Sequence, residues 1–376
     1  MCTSTAMNEE EPPSKRRRMT ILMLPDDVVL NCLARVSRLY YPTLSLVSKK
    51  FRSLLSSKEV YQTRTLLGRT ESCLYVFLRH ASPSNSNPQR WFTLSRRPNS
   101  SKRILVPISS PNFPSARWSK VAAVGPNIYS IGGLEHNMSS KASSNVMAMD
   151  CRSHTWCEAP SMHVAREFHS VCVFDGKIYV TGANENLDST NWMGVFDTNT
   201  RTWEYLQIPG KELCRASQLE SVWYEGTLYV RSEKKNVTYK LHKGRWRKVD
   251  YAMNYGWGRS SSYCVIENVF YHNFGTTIYW FDSQKRSWQI LKGLESLCKS
   301  LCNKSAKYLV DYGGKIAVLW QDYVSVKFPR ETSIWCAEIA IEKRENGEIW
   351  GMLERVDIVF TTDKPSSLVH ALATTV

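Results

Sequence analysis

The stretch "HSVCVFDGKIYVTGANENLDSTNWMGVFDTNTRTWEYLQI", residues 169–208, contains four short strand candidates: "HSVCVF", "KIYVTG", "MGVFD" and "TWEYLQI". "NTRT" is a turn sequence ahead of the last of them. Working outward, the same pattern recurs. "PNIYSIGG", "DGKIYVTGA", "EGTLYVRSE" and "ENVFYHNFG" align on Tyr129, Tyr179, Tyr229 and Tyr271, and a weaker "GGKIAVLWQ" places Ala317 there. Downstream of these lie "MDCRSHTW", "FDTNTRTW", "FDSQKRSW" and a degenerate "KLHKGRW". Their Trp156, Trp203, Trp246 and Trp288 are spaced by 47, 43 and 42 residues, and Asp150, Asp197 and Asp282 each precede a Trp by six. Four strands in a unit of roughly 40–50 residues is the signature of a β-propeller, whose blades bury their faces only by stacking around an axis.

Five full repeats begin near Ser119, His169, Leu219, Ser261 and Ala306. Before them lie only "CLYVFLR", "RWFTLSR" and "ILVPISS", the last three strands of a blade. The terminal "SLVHALATTV" can supply the missing inner strand and close the ring, which gives about six blades. Trp350 falls 62 residues after Trp288, so the last repeat carries an insertion.

The N-terminal part reads differently. In "LPDDVVLNCLARVSRLYYPTLSLVSKKFRSLL", residues 24–55, Pro25 suits the first helical position and Asp26 and Asp27 complement the helix dipole. Val29, Cys32, Leu33 and Val36 form one apolar stripe. Pro42 starts a second helix with Leu44, Val47, Phe51, Leu54 and Leu55 on one face. Ser56 and Glu59 make a capping-box pattern for a third, which Gly68 ends. A unit this small is expected to complete its core against something else.

The helical stretch resembles an F-box. The likeness lies in Leu24-Pro25-Asp26, the Leu33 and Val36 stripe, and "LSLVSKKFRSLL", with Phe51 where Trp is common. The remainder resembles a kelch propeller, marked by Gly132-Gly133 followed by a spaced Trp; later repeats lose the glycine pair. Together they resemble the plant-type F-box/kelch-repeat architecture. The division is then a basic tail (1–19), an F-box (20–68) and a propeller (69–376). The resemblance implies a non-catalytic substrate receptor of an SCF ubiquitin ligase. Leu24, Pro25, Asp26, Val29, Leu33, Val36, Leu44, Val47, Phe51 and Leu54 would touch the Skp-type adaptor, and the adaptor would link to cullin. The propeller would hold an unidentified target protein.

One further register repeats. Arg117, Arg166, Arg215 and Arg259 precede the repeat tyrosines by 12, 13, 14 and 12 residues, and Lys304 precedes Ala317 by 13. Rotation about the axis would set these cations in a ring on one face. Exposed, they suit an acidic target segment, because the guanidinium fork binds carboxylates; turned inward, each would satisfy carbonyls of its inter-blade link.

Other function classes find less support. The eleven cysteines are odd in number and scattered, which favours reduced thiols. Cys151, His154 and Cys157, and the pair Cys298 and Cys302, lack the further ligands a zinc site needs. The eight histidines sit singly, and no phosphate loop or nucleophile elbow is present, so no cofactor is expected and a propeller oxidase is the weaker alternative. A scaffold without a degradative role is another. Net charge is +15 and the pI about 9.3, which suits acidic ligands or nucleic acid. The basic stretch at 231–248 places its Tyr239 and Trp246 at blade-core register, so it reads as a solvated blade edge rather than a nucleic-acid face. No apolar run approaches the ~18 residues of a membrane helix, and no signal peptide precedes the fold, so an intracellular chain is expected. "KRRR" (Lys15, Arg16, Arg17, Arg18) reads as a nuclear import signal or a solubilising tail.

Overall fold

The computed structural model describes residues 21–80, 89–97, 99–109, 118–135, 141–182, 191–207, 219–232, 236–248, 253, 262–302, 304–323 and 331–376. The 15–18 run lies outside them. Four helices precede six four-stranded antiparallel sheets. Blade 1 takes its inner strand, Ser366–Thr375, from the end of the chain and sets it against Ser72–His80, Gln89–Arg96 and Arg103–Pro107. Backbone bonds between Glu71 and Val376, 3.0 Å in each direction, finish this closure. The other inner strands are Lys120–Val124, His169–Phe174, Glu220–Tyr224, Tyr263–Ile266 and Ser305–Asp311, for blades 2 to 6.

The repeat alignment holds as strand register. Tyr129, Tyr179, Tyr229, Tyr271 and Ala317 pair with Ala122, Cys172, Val222, Cys264 and Val310 of their inner strands. The aspartates that precede three of the four tryptophans by six residues fold their hairpins. Asp197 Oδ1 accepts the backbone N–H groups of Asn199 at 2.9 Å and Thr200 at 3.2 Å, and Asp282 Oδ1 does the same for Gln284 and Lys285. The chain then turns through a left-handed residue two places before the Trp: His154, Arg201, Gly244 and Arg286 have φ of 58°, 59°, 54° and 52°. The first glycine of the kelch pair also has a physical reason. Gly132 has φ +54°, and a Cβ there would lie 2.8 Å from the Arg166 carbonyl.

In blade 6 the Trp position passes to Leu353, which pairs with Ile339 and through it Ile316. Trp350 is not the repeat Trp; it sits three residues earlier, under the Arg344 guanidinium at 3.7 Å. The extra residues form a helix, Glu295–Ser300, and the long hairpin Thr332–Lys343/Ile349–Thr362.

The helical module comprises α1 (Asp26–Ala34), α2 (Tyr41–Leu44), α3 (Lys49–Leu55) and α4 (Lys58–Leu66). Three local expectations are corrected. Pro25 is the N-cap of α1 rather than its first residue. The stretch after Pro42 is two short helices, because Ser48 is extended and caps α3 by accepting the Phe51 N–H at 3.1 Å. The cap of α4 is Ser57, not Ser56; its hydroxyl accepts the Val60 N–H. Gly68 does end α4, at φ +60°, and Arg69 N–H closes back on the Arg64 carbonyl at 2.8 Å.

The module does not keep a core of its own. Val29, Leu33, Phe51, Leu55, Val60 and Tyr61 pack in one cluster with Tyr75, Trp91, Met149, Cys151, Trp156 and Val376 of blades 1 and 2. This is how so short a helical unit meets its burial requirement.

Candidate functional site

In an antiparallel meander the inner strands start on one face of the ring, where the second strands end. The opposite face carries the end of each third strand. The helical module lies on that opposite face. Arg38 Nη2 donates to the Cys151 carbonyl at 2.9 Å, just past the third strand of blade 2. Tyr61 Oη donates to the Arg152 carbonyl at 3.0 Å, and Ser95 Oγ to the Leu39 carbonyl at 2.9 Å. Arg64, 2% exposed, bridges the seam: it donates to the carbonyls of Ala34 and Val36 and to Glu71 Oε1 at 3.2, 2.7 and 2.8 Å. Glu71 Oε1 also accepts the Arg38 backbone N–H.

The residues nominated for the adaptor divide by position. Val29, Leu33 and Phe51 are buried in the shared core, and Leu24, Val36, Leu44 and Leu54 are half-buried. Pro25, Asp26 and Val47 are exposed, Val47 by 58%. Also exposed in the module are apolar side chains that helical periodicity did not nominate: Leu46, by 74%, and Ile21, Met23 and Val28. Lys50 joins these groups, donating to the Leu24 carbonyl at 3.2 Å and pairing with Asp26 at 2.7 Å. The N-terminus of α3 therefore lies against the segment that opens α1, and Leu46 and Val47 stand at the same end of the module as Ile21 and Met23. A sequence signal did exist: Leu46-Val47 is an apolar pair directly ahead of a Ser cap.

On the other face a depression of about 730 Å³ marks the mouth of the central channel. Inner-strand residues Lys120, His169, Glu220 and His370 line it, with Trp118 and Phe168, 59% and 48% exposed, at its rim. Burial pushes the Glu220 carboxyl up to about 7 against the pull of Arg231 and Lys120, and one of its oxygens has no hydrogen-bond partner. Burial drives the His169 and His370 imidazoles down to about 3, so both are neutral; their Nε2 atoms face the carbonyls of Ile131 and Ser119 at 3.1 Å.

Two members of the expected ring of cations are described, and Arg166 is corrected. Arg166 is 1% exposed and spends its guanidinium on the carbonyls of Gly182, Asn191 and Trp192. It ties two blades together and offers nothing to a ligand. Lys304 is paired with Asp322 at 2.7 Å. Arg117, Arg215 and Arg259 lie outside the described residues.

Among the described residues no group of three His, Cys, Asp or Glu side chains is placed to hold a metal. The Cys151–Cys157 segment is structural: His154 Nε2 meets Tyr75 Oη at 3.1 Å, and Cys157 donates to the Ala148 carbonyl. Burial raises the thiols of Cys172 and Cys336 to about 12, unlike a thiolate nucleophile. No helix among the described residues is long and apolar enough to cross a membrane. Trp246 of the basic 231–248 stretch packs on Tyr239 and Trp192, with centroids 4.9 and 5.9 Å away, and so belongs to a blade.

Comparison with known proteins agrees with this geometry. Residues 21–63 match the F-box domain family, and residues 91–360 match the FKB95 kelch-repeats domain family. F-box/kelch-repeat protein At4g33900 of Arabidopsis thaliana is 55% identical over 94% of this chain and 97% of its own length. F-box/kelch-repeat protein At4g39580 from the same plant is 46% identical over 95% and 94%. Among solved structures, that of YjhT superposes with a TM-score of 0.48 at 10% identity, covering 70% of this chain and 91% of that one. With a helical module matched at its N-terminus, a kelch domain matched over most of its length and relatives aligned nearly end to end, the chain belongs to the F-box/kelch-repeat family.

Proposed function

We propose that this chain is the substrate-recognition subunit of an SCF-type ubiquitin ligase. The observation that carries the reading is apolar surface in an unexpected place. Of fifteen exposed large apolar side chains among the described residues, seven fall between Ile21 and Leu66. A segment so short, already supplied with a core by the propeller, has no structural reason to leave Ile21, Met23, Val28, Leu46 and Val47 in water. Such a patch fits a protein partner that buries it, and the F-box family points to a Skp-type adaptor, with cullin beyond it. The adaptor surface then comprises Leu24, Pro25 and Val47 of the expected set together with Leu46, Met23 and Val28, while Val29, Leu33 and Phe51 act by shaping the module.

The target would be held on the channel-mouth face, away from the adaptor. There Trp118 and Phe168 offer aromatic anchors, and Lys120 and Glu220 offer polar contacts. The shared core and the Arg64–Glu71 pair make the seam stiff, so a captured target keeps a fixed orientation relative to the adaptor. In this reading the chain performs no chemistry; it raises the effective concentration of target at the ubiquitin carrier. The test is co-elution of the full chain with purified Skp-type adaptor in size-exclusion chromatography. A 1:1 complex supports the reading, and absence of a complex from a folded sample overturns it.

A further inference from the structure

A second cavity, of about 560 Å³, lies in the seam between the helical module and blades 1 and 2. Neither the adaptor surface nor the channel mouth includes it. Its walls are largely apolar: Leu39, Pro42 and Leu55 from the module, and Leu94, Ile108 and Tyr312 from the propeller side. Its size is that of a small-molecule site, and a junction between two folded units is where such sites favour forming.

Three arginines line it, of which Arg152 is paired with Asp150 and Arg52 is exposed to solvent, leaving Arg38 as the cation in the seam. Arg38 lines the cavity, and its guanidinium makes a single well-formed bond, Nη2 to the Cys151 carbonyl at 2.9 Å. Its Nη1 is 3.5 Å from Tyr75 Oη and 3.8 Å from Cys73 Sγ, both weak and neutral acceptors. The nearby carboxylates serve other arginines: Glu71 pairs with Arg64 at 2.8 Å, and Asp150 takes the fork of Arg152 through bonds of 2.9 and 2.8 Å. Among the described residues no carboxylate forms an ion pair with Arg38. Arg38 is half-buried, with its guanidinium carbon 5.3 Å from the centre of the Tyr61 ring, and a carboxylate presented to its fork would supply the counter-ion that the described residues do not.

We propose that this seam cavity binds a small organic acid, its carboxylate on Arg38 and its apolar body between Leu39, Leu55, Leu94 and Ile108. Such a ligand touches both modules and stabilises their docking, so the seam becomes a point at which a metabolite can act on the chain. The inference does not depend on the ligase reading, since it concerns binding by the chain alone.

The test is isothermal titration of the full chain with naphthalene-1-carboxylate and cyclohexylacetate, each beside its uncharged amide. One-to-one saturable binding is expected for at least one acid, tenfold or more tighter than for its amide. Arg38→Met should abolish that preference, and Val106→Trp, which fills the cavity from the outer strand of blade 1, should abolish binding of acid and amide alike. Circular dichroism checks that each variant is folded. Should Arg38→Met not fold, the acid-to-amide ratio and Val106→Trp still decide. No saturable binding of either acid at millimolar concentration, equal affinity for acid and amide, or undiminished binding by folded Val106→Trp would overturn the proposal.

Discussion

Arg64 concentrates the energetics of the seam in one side chain. It is nearly fully buried, and four acceptors depend on it: the carbonyls of Ala34 and Val36, the Tyr41 hydroxyl and the Glu71 carboxylate. Arg64→Ala strands a half-buried carboxylate and two carbonyls, and is expected to cost about 3–5 kcal/mol in denaturant unfolding of the full chain. Glu220 behaves in the opposite sense. Its folded carboxyl titrates at about 7 against an ordinary value of 4.5, so the folded chain retains a proton that the unfolded chain has released. The penalty is absent below the unfolded value, grows between the two and is complete above about 7. Glu220→Gln should therefore leave stability at pH 4 unchanged and raise it at pH 8 by on the order of 1–3 kcal/mol, read from chemical denaturation at both values. At this scale the sequence was informative where the physics is local. Asp197 and Asp282 bond backbone two and three residues ahead, so spacing alone reveals their turn. Arg166 shows the limit. Its period was visible, but whether its guanidinium turns outward or into the blade link depends on carbonyls 16 to 26 residues away.

Among the elements, the break between α2 and α3 matters most to function. Read as one helix, the stretch after Pro42 would bury Val47 beside Phe51. Ser48, at φ −162° and ψ 162°, interrupts the helix and leaves Leu46 and Val47 in solvent. The extended conformation is held by the Ser48 cap, so Ser48→Ala is expected to lower stability by about 1 kcal/mol in thermal denaturation and to weaken adaptor binding in the same variant. Helical period finds which residues could share a face; it does not find where a cap resets the phase. The one-residue slip from Ser56 to Ser57 has the same origin, since both serines are compatible with a cap and only the folded chain selects between them. Blade 6 fails for another reason. Its insertion shifts the strand pairing, so Leu353 occupies the position that spacing assigned to Trp350.

For the molecule as a whole, closure of the ring was legible because a count of strands left one blade short of an inner strand and one terminal strand unassigned. That strand pairs with Ser72–His80 along its length, and Val376 joins the module's core cluster. Deleting residues 366–376 opens blade 1 and removes part of the floor under the helices, so the truncated chain should be recovered as aggregate, with soluble yield and near-ultraviolet circular dichroism as the measurements. The docking of helices against blades 1 and 2 was not legible, because it rests on contacts such as Arg38 to Cys151 and Tyr61 to Arg152, between residues about a hundred positions apart. What the assembled molecule presents is an apolar patch on one face and a polar, aromatic-rimmed channel mouth on the other. The most direct test of this division is titration of purified Skp-type adaptor into the full chain, wild type beside a Leu46→Glu/Val47→Glu variant. Both side chains are exposed, so the variant should unfold within about 0.5 kcal/mol of wild type. The expected result is a 1:1 complex for the wild type and at least a tenfold weaker one for the folded variant. Equal affinity in the two, or no binding by the folded wild type, would contradict the account.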